Sequence, residues 1–146
     1  MPDNDKASFE DILARDGRLC YTNVGDSMLP LIRQGRDILV IAPVNGRLKK
    51  YDVPLYRRDS GQYVLHRVIK VRDHDYVTCG DNRWRTESGI TDRHVLGVLV
   101  SLIRNGKEIS LTGPMYRLYV FAWCTLFPVR AIILRGLRFI KRIFIR

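Results

Sequence analysis

Gln62 to Arg72 reads QYVLHRVIKVR. The run is rich in β-branched and aromatic residues and is interrupted by neither Gly nor Pro, which is the composition of a strand. Side chains alternate along a strand, so Tyr63, Leu65, Arg67 and Ile69 take one face while Val64, His66, Val68 and Lys70 take the other. The reading predicts a single continuous strand that carries His66 on the Val64–Val68 face, at a sheet surface bordering a cleft.

Outward from this run the same pattern recurs. Asp37–Pro43 (DILVIAP), Val53–Arg57 (VPLYR), Tyr76–Cys79 (YVTC), Val95–Arg104 (VLGVLVSLIR) and Glu108–Leu111 (EISL) are further strand candidates. Gly, Asp, Asn and Pro punctuate them roughly every eight to twelve residues. Asp59-Ser60-Gly61 and Asn105-Gly106 are tight-turn sequences and predict hairpins. Ser8 followed by Asp11 marks a helix start of the capping-box kind, and Gly17 a stop, which predicts a short helix over residues 9–16. The expected fold is mainly β with a minor α+β component: a small curled β-sheet system or partly open barrel, followed by a helical tail.

The chain has 146 residues, 46% of them hydrophobic, enough for one globular core. Its net charge of +10 is unevenly placed. Arg117, Arg130, Arg135, Arg138, Lys141, Arg142 and Arg146 lie in residues 113–146, where there is no acid, so the preceding residues are close to neutral. This divides the chain into a body, residues 1–112, and a basic apolar tail, residues 113–146. The body has no basic patch and no aromatic-interleaved basic motif, so nucleic acid is not an expected partner.

Leu118–Val129 is uncharged but short for a membrane span. After Pro128, helical steps of 100° gather the cations on one side and Ile132, Ile133, Leu137, Ile140, Ile143 and Phe144 on the other. Such a basic amphipathic helix lies in the headgroup region of anionic bilayers, with Arg130, Arg135, Arg138, Lys141 and Arg142 reaching lipid phosphate. Packing of the apolar face on the body, or on a second copy, is the competing reading. The polar N-terminus lacks the apolar core of a cleavable signal peptide, which places the body on the cytosolic side. Cys20, Cys79 and Cys124 form neither a disulfide framework nor a metal-ligand spacing, and no metal or organic cofactor is expected.

The chemistry gathers in three segments. Gly25-Asp26-Ser27-Met28-Leu29-Pro30 holds a serine between a flexible glycine and an apolar anchor. His66 is the histidine set within an apolar strand, and a neutral imidazole suits the deprotonation of a hydroxyl near pH 7. Gly80-Asp81-Asn82-Arg83 closes the YVTC strand and offers a carboxylate. Taken singly, a turn serine, a strand histidine and a turn aspartate are more often structural than catalytic.

Together, GDSMLP, VLHRVIKV, YVTCGDNR and VLGVLV resemble the S24/S26 peptidase group, which contains type I signal peptidases and self-cleaving repressor-type proteases. The likeness spans about residues 20–104. It implies a signal-peptidase-like fold and a serine endopeptidase that removes a leader or signal-like segment from a peptide or protein precursor. Ser27 matches the nucleophile. Where most members use lysine as the base, His66-Arg67 matches the histidine-type branch of the endoplasmic reticulum and spore formers. Gly25 and Asp26 stand where lysine-type members carry Ser-Gly, which leaves the Ser27 backbone N–H as the implied oxyanion donor. Asp81 is the implied third member; the next acids along the chain are Glu87 and Asp92, of which Asp92 is the alternative. The resemblance also implies substrate addition alongside a strand, with Asp37–Pro43 and the Ser27 loop as the expected cleft. A self-cleaving regulator and a peptide-binding module that does not cut are the other readings on this fold.

Overall fold

The computed structural model describes residues 7–145; residues 1–6, at the start of the polar N-terminus, and Arg146, the last cation of the tail, lie outside them. The elements in chain order are α1 (Phe9–Asp16), β1 (Leu19–Thr22), β2 (Asp37–Ala42), β3 (Pro54–Arg57), β4 (Tyr63–Leu65), β5 (Arg67–Val71), β6 (Tyr76–Cys79), β7 (Glu87–Ile90), β8 (Val95–Arg104), β9 (Lys107–Ser110), α2 (Pro114–Thr125) and α3 (Phe127–Phe144). The molecule is mainly β, with a curled half-barrel antiparallel sheet and helices at the C-terminal end.

Local chemistry sets several boundaries where the sequence placed them. Ser8 Oγ accepts from Asp11 N–H at 3.2 Å while Asp11 Oδ2 accepts from Ser8 N–H, and Gly17 ends α1 in the left-handed region at φ 65°. Asn105 and Gly106 both have positive φ in the β8–β9 turn, the geometry an Asn-Gly hairpin requires. The Arg58–Gln62 turn joins β3 to β4, closed by Arg58 N–H donating to Gln62 O at 2.9 Å.

Gln62–Arg72 departs from expectation. It is two strands in two sheets, broken at His66. β4 ends the larger sheet, whose order is β1-β2-β8-β3-β4 with β9 also on β8, whereas β5 opens a three-stranded sheet, β5-β6-β7. Alternation nevertheless holds across the break. Val64 and Val68 join one apolar cluster with Leu48, Tyr56, Tyr76 and Ile90, and the His66 ring lies edge-on to Tyr56 at 6.5 Å and 73°. A bulge between Val68 and Lys70 ends it. Leu65 faces the other cluster, built on Met28, Ile32, Leu39, Ile41, Leu55 and Leu102.

The cross-strand pairs Leu55–Leu65 and Tyr56–Val64 therefore point to opposite cores, and the β3–β4 hairpin is the wall between them. Full burial of such side chains contributes about 1.5–3 kcal/mol each, which anchors the hairpin and fixes where His66 emerges.

Residue 113 marks the change from β to α, but it does not separate two bodies. Tyr116, Tyr119 and Trp123 of α2 pack on the β portion and hydrogen-bond to Arg67 and Asp81. Among the described residues no single helix is long and apolar enough to cross a membrane; α2 and α3, bent by 70° at Leu126, pass that test of length and composition only as a pair.

Candidate active site

Ser27 sits in the loop between β1 and β2. Gly25 takes φ 103°, a left-handed conformation that side chains resist, and its N–H is held by Gln34 Oε1 at 3.0 Å. Met28, fully buried, plugs the loop into the cluster that holds Leu39, Leu55 and Leu65. Ser27 and His66 line the same cleft, of about 270 Å³, together with Asp26, Arg58, Gln62 and Arg83.

The Gly80–Arg83 turn clamps the serine loop. Asn82 N–H donates to Ser27 O at 2.8 Å, Asn82 Nδ2 to Asp26 O at 3.1 Å, and Arg83 Nη2 to Asp26 Oδ1 at 2.6 Å. A Cβ on Gly80 would stand 2.6 Å from Ser27 O and 3.2 Å from His66 Cδ2. Only glycine permits so close an approach, and it brings the Ser27 backbone and the His66 ring to one point. The Ser27 N–H has no acceptor among the described residues, which leaves it free to donate to a bound oxyanion.

His66 lies where the chain leaves one sheet for the other. Burial pushes its pKa down to about 4; the Glu87 carboxylate opposes that shift, and the Arg58 and Arg83 guanidiniums add to it. The imidazole is therefore neutral at pH 7. Its Nδ1 is buried with no hydrogen-bond partner among the described residues, so neither carboxylate expected to orient it does so.

Asp81 instead forms a two-point ion pair with Arg67, 2.8 Å at Nε and 2.8 Å at Nη2, with both side chains 1% exposed. Tyr119 Oη also donates to Asp81, at 2.8 Å. The reason is the alternation of β5: Arg67 points away from the His66 cleft, and a buried cation there draws the nearby carboxylate. Asp92 accepts from Tyr76 Oη and pairs with Arg47 at 3.8 Å, at the start of β8.

Tyr56, Arg58 and Glu87, to which the sequence assigned no role, lie around the ring. Tyr56 Oη donates to Glu87 Oε2 at 3.0 Å, and Arg58 grips Glu87 through Nε at 2.8 Å and Nη2 at 2.6 Å. Arg58 also holds the Glu87 carboxyl below its usual range. Glu87 is on the short strand β7, which no apolar alternation announces.

The expected substrate strand also moves. β2, the strand of Asp37–Ala42, is paired with β1 on one side and β8 on the other, so its backbone groups are taken. β4 ends the sheet with a free edge, and Tyr63, Val64 and Leu65 line the Ser27–His66 cleft.

One of the five cations expected to reach lipid is buried against the body instead. Arg130 is buried; Arg135 is exposed but lies over the Trp84 ring at 5.3 Å, and Arg138, Lys141 and Arg142 are exposed. Comparison of the chain with protein-family models, with curated proteins and with solved structures gives no match.

Proposed function

We propose that the chain is a serine endopeptidase of the signal-peptidase-like kind, which cuts a leader or signal-like segment from a peptide or protein precursor at a membrane surface. The observation that carries this reading is that Ser27, whose backbone N–H has no acceptor among the described residues, and a half-buried neutral His66 line one cleft beside a strand edge. Substrate backbone adds along β4, which leads directly into His66 and aims the scissile bond at the serine loop.

The imidazole of His66 takes the Ser27 Oγ proton as Oγ attacks the scissile carbonyl. The Ser27 N–H holds the oxyanion that forms. The imidazolium then gives its proton to the leaving amine, and a water molecule, deprotonated by the same histidine, releases the acyl group. Among the described residues no carboxylate binds His66, so the pair works as a dyad. The Glu87 charge favours the imidazolium through space, consistent with its upward pull on the His66 pKa.

The membrane part of the reading is supported by the way α3 faces. A helix packing on its own protein buries its apolar side, but here Ile132, Ile133, Leu137, Ile140 and Phe144 are all more than half exposed while Arg130 is turned inward. A bilayer covers that apolar face and receives Arg138, Lys141 and Arg142 at its anionic headgroups.

The test is cleavage of candidate precursor peptides by the purified protein. Ser27→Ala and His66→Ala are each expected to abolish cleavage, a loss of at least ~10³-fold, with circular dichroism unchanged. Full activity in Ser27→Ala ends the proposal; binding without cleavage by the wild type points to a recognition module.

A further inference from the structure

Arg130 turns inward from α3 and has no counter-ion among the described residues. The residue is 8% exposed, and its buried Nε–H has no acceptor among the described residues. Its contacts are the rings of Trp123 and Phe127, at 5.2 and 4.8 Å from Cζ, and a long 3.4 Å bond from Nη2 to Arg83 O. The acids of the two loops below it are taken, Asp81 by Arg67 and Asp26 by Arg83. A buried ion without a counter-ion is strongly penalised, and aromatic faces offset only part of that penalty.

Arg130 lines a cavity of about 350 Å³ between the β portion and the α2–α3 elbow. Lys50, Arg67 and Asp81 line it too. Arg67 and Asp81 neutralise each other, while the Lys50 ammonium rests over the Tyr51 ring at 5.0 Å. Lys50 and Arg130 thus leave the cavity positively charged. Phe127 and Pro128 add apolar wall, and the exposure of Pro128 and Lys50 shows that the cavity opens at the elbow, where the apolar outer face of α3 begins.

We propose that this cavity is an oxyanion site for a phosphate group, supplied by the headgroup of an acidic phospholipid when α3 docks on a bilayer. Arg130 and Lys50 are its cations, and the apolar wall receives the glycerol end of the headgroup. The lipid as source rests on the membrane reading of α3; the oxyanion chemistry rests on Arg130.

The test titrates full-length protein with phosphatidylcholine vesicles, with and without phosphatidylglycerol, at about 0.5 M salt, where attraction between surface charges is screened. Wild type is expected to bind only the vesicles that contain phosphatidylglycerol. Lys107→Gln, which removes an exposed cation of β9 outside the tail, is expected to match it, whereas Arg130→Gln binds about tenfold more weakly. Lys50→Gln changes an exposed residue and leaves the core intact, so its expected loss of about threefold reads the site even where Arg130→Gln folds poorly. In a second arm, inorganic phosphate is expected to raise the melting temperature of the wild type and not of Arg130→Gln.

Wild-type affinity in both Arg130→Gln and Lys50→Gln, with no stabilisation of the wild type by inorganic phosphate, overturns the site while leaving membrane docking in place. Failure of the wild type to bind any vesicle overturns the lipid source together with the membrane reading. Stabilisation by inorganic phosphate, with no difference between variants on vesicles, overturns the lipid assignment in favour of free phosphate.

Discussion

Burial holds the His66 imidazole near a pKa of about 4, so the ring is already unprotonated across the neutral range. The expected pH profile of kcat/KM rises through a single ionisation near that value and is level from there to neutrality. An ordinary histidine would place the break near ~6.5, and a break there in the measured profile contradicts the burial argument. The same shift acts on stability. The unfolded chain binds the His66 proton below ~6.5 and the folded chain only below about 4, so the unfolded state holds more protons in that window and stability falls as pH drops through it. Melting temperatures of wild type and His66→Phe, compared across the window, should show a shallower slope in the variant. Ser27 and His66 were legible as residues because each breaks the pattern of its own segment. The partner of Asp81 was not, since a carboxylate goes to whichever cation the fold sets beside it, and Arg67 is adjacent to His66 in sequence but faces the other way.

The Arg67–Asp81 pair binds three elements, β5, the β6–β7 turn and α2, with Tyr116, Tyr119 and Trp123 closing over it. Removing one charge strands the other. Asp81→Asn is expected to lower stability by about 3–5 kcal/mol in denaturant titration, and Arg67→Met combined with Asp81→Leu by much less. At a temperature where Asp81→Asn remains folded, its kcat should stay within about tenfold of wild type; a triad acid would lose ~10⁴-fold. Strands were legible one at a time from their composition, hairpins from Asn105-Gly106 and the Asp59–Gly61 turn. The break at His66 was not, because no Gly or Pro marks it and both halves keep one alternation. Only the strand that each half pairs with, β3 for one and β6 for the other, makes them different elements.

Across the whole molecule, the two C-terminal helices divide their work. α2 covers the buried ion pair and, through Trp123 on Asp81 O, braces the turn that clamps Ser27; α3 carries the exposed apolar face. Truncation after residue 126 is expected to preserve the melting transition and cleavage of a soluble peptide while ending vesicle flotation. Truncation after residue 112 uncovers Arg67–Asp81 and should lower the melting temperature by more than about 5 °C. Equal melting temperatures for the two truncations would show that α2 is dispensable to the body.

The mainly β character, the short N-terminal helix, the two tight hairpins and the amphipathic helix after Pro128 follow from the sequence alone, because they rest on local preference and on hydrophobic period. The pairing of Ser27 with His66 came from the resemblance of their segments to a peptidase group and not from local preference. Tertiary structure alone decided that His66 stands at the joint of two sheets, that β4 and not β2 has the free edge, and that Asp81 serves Arg67. It also decided that α3 turns its apolar side outward with Arg130 beneath it. These depend on which surfaces meet after collapse, and the energy of a buried charge or an unpaired edge is set by neighbours that lie far away along the chain.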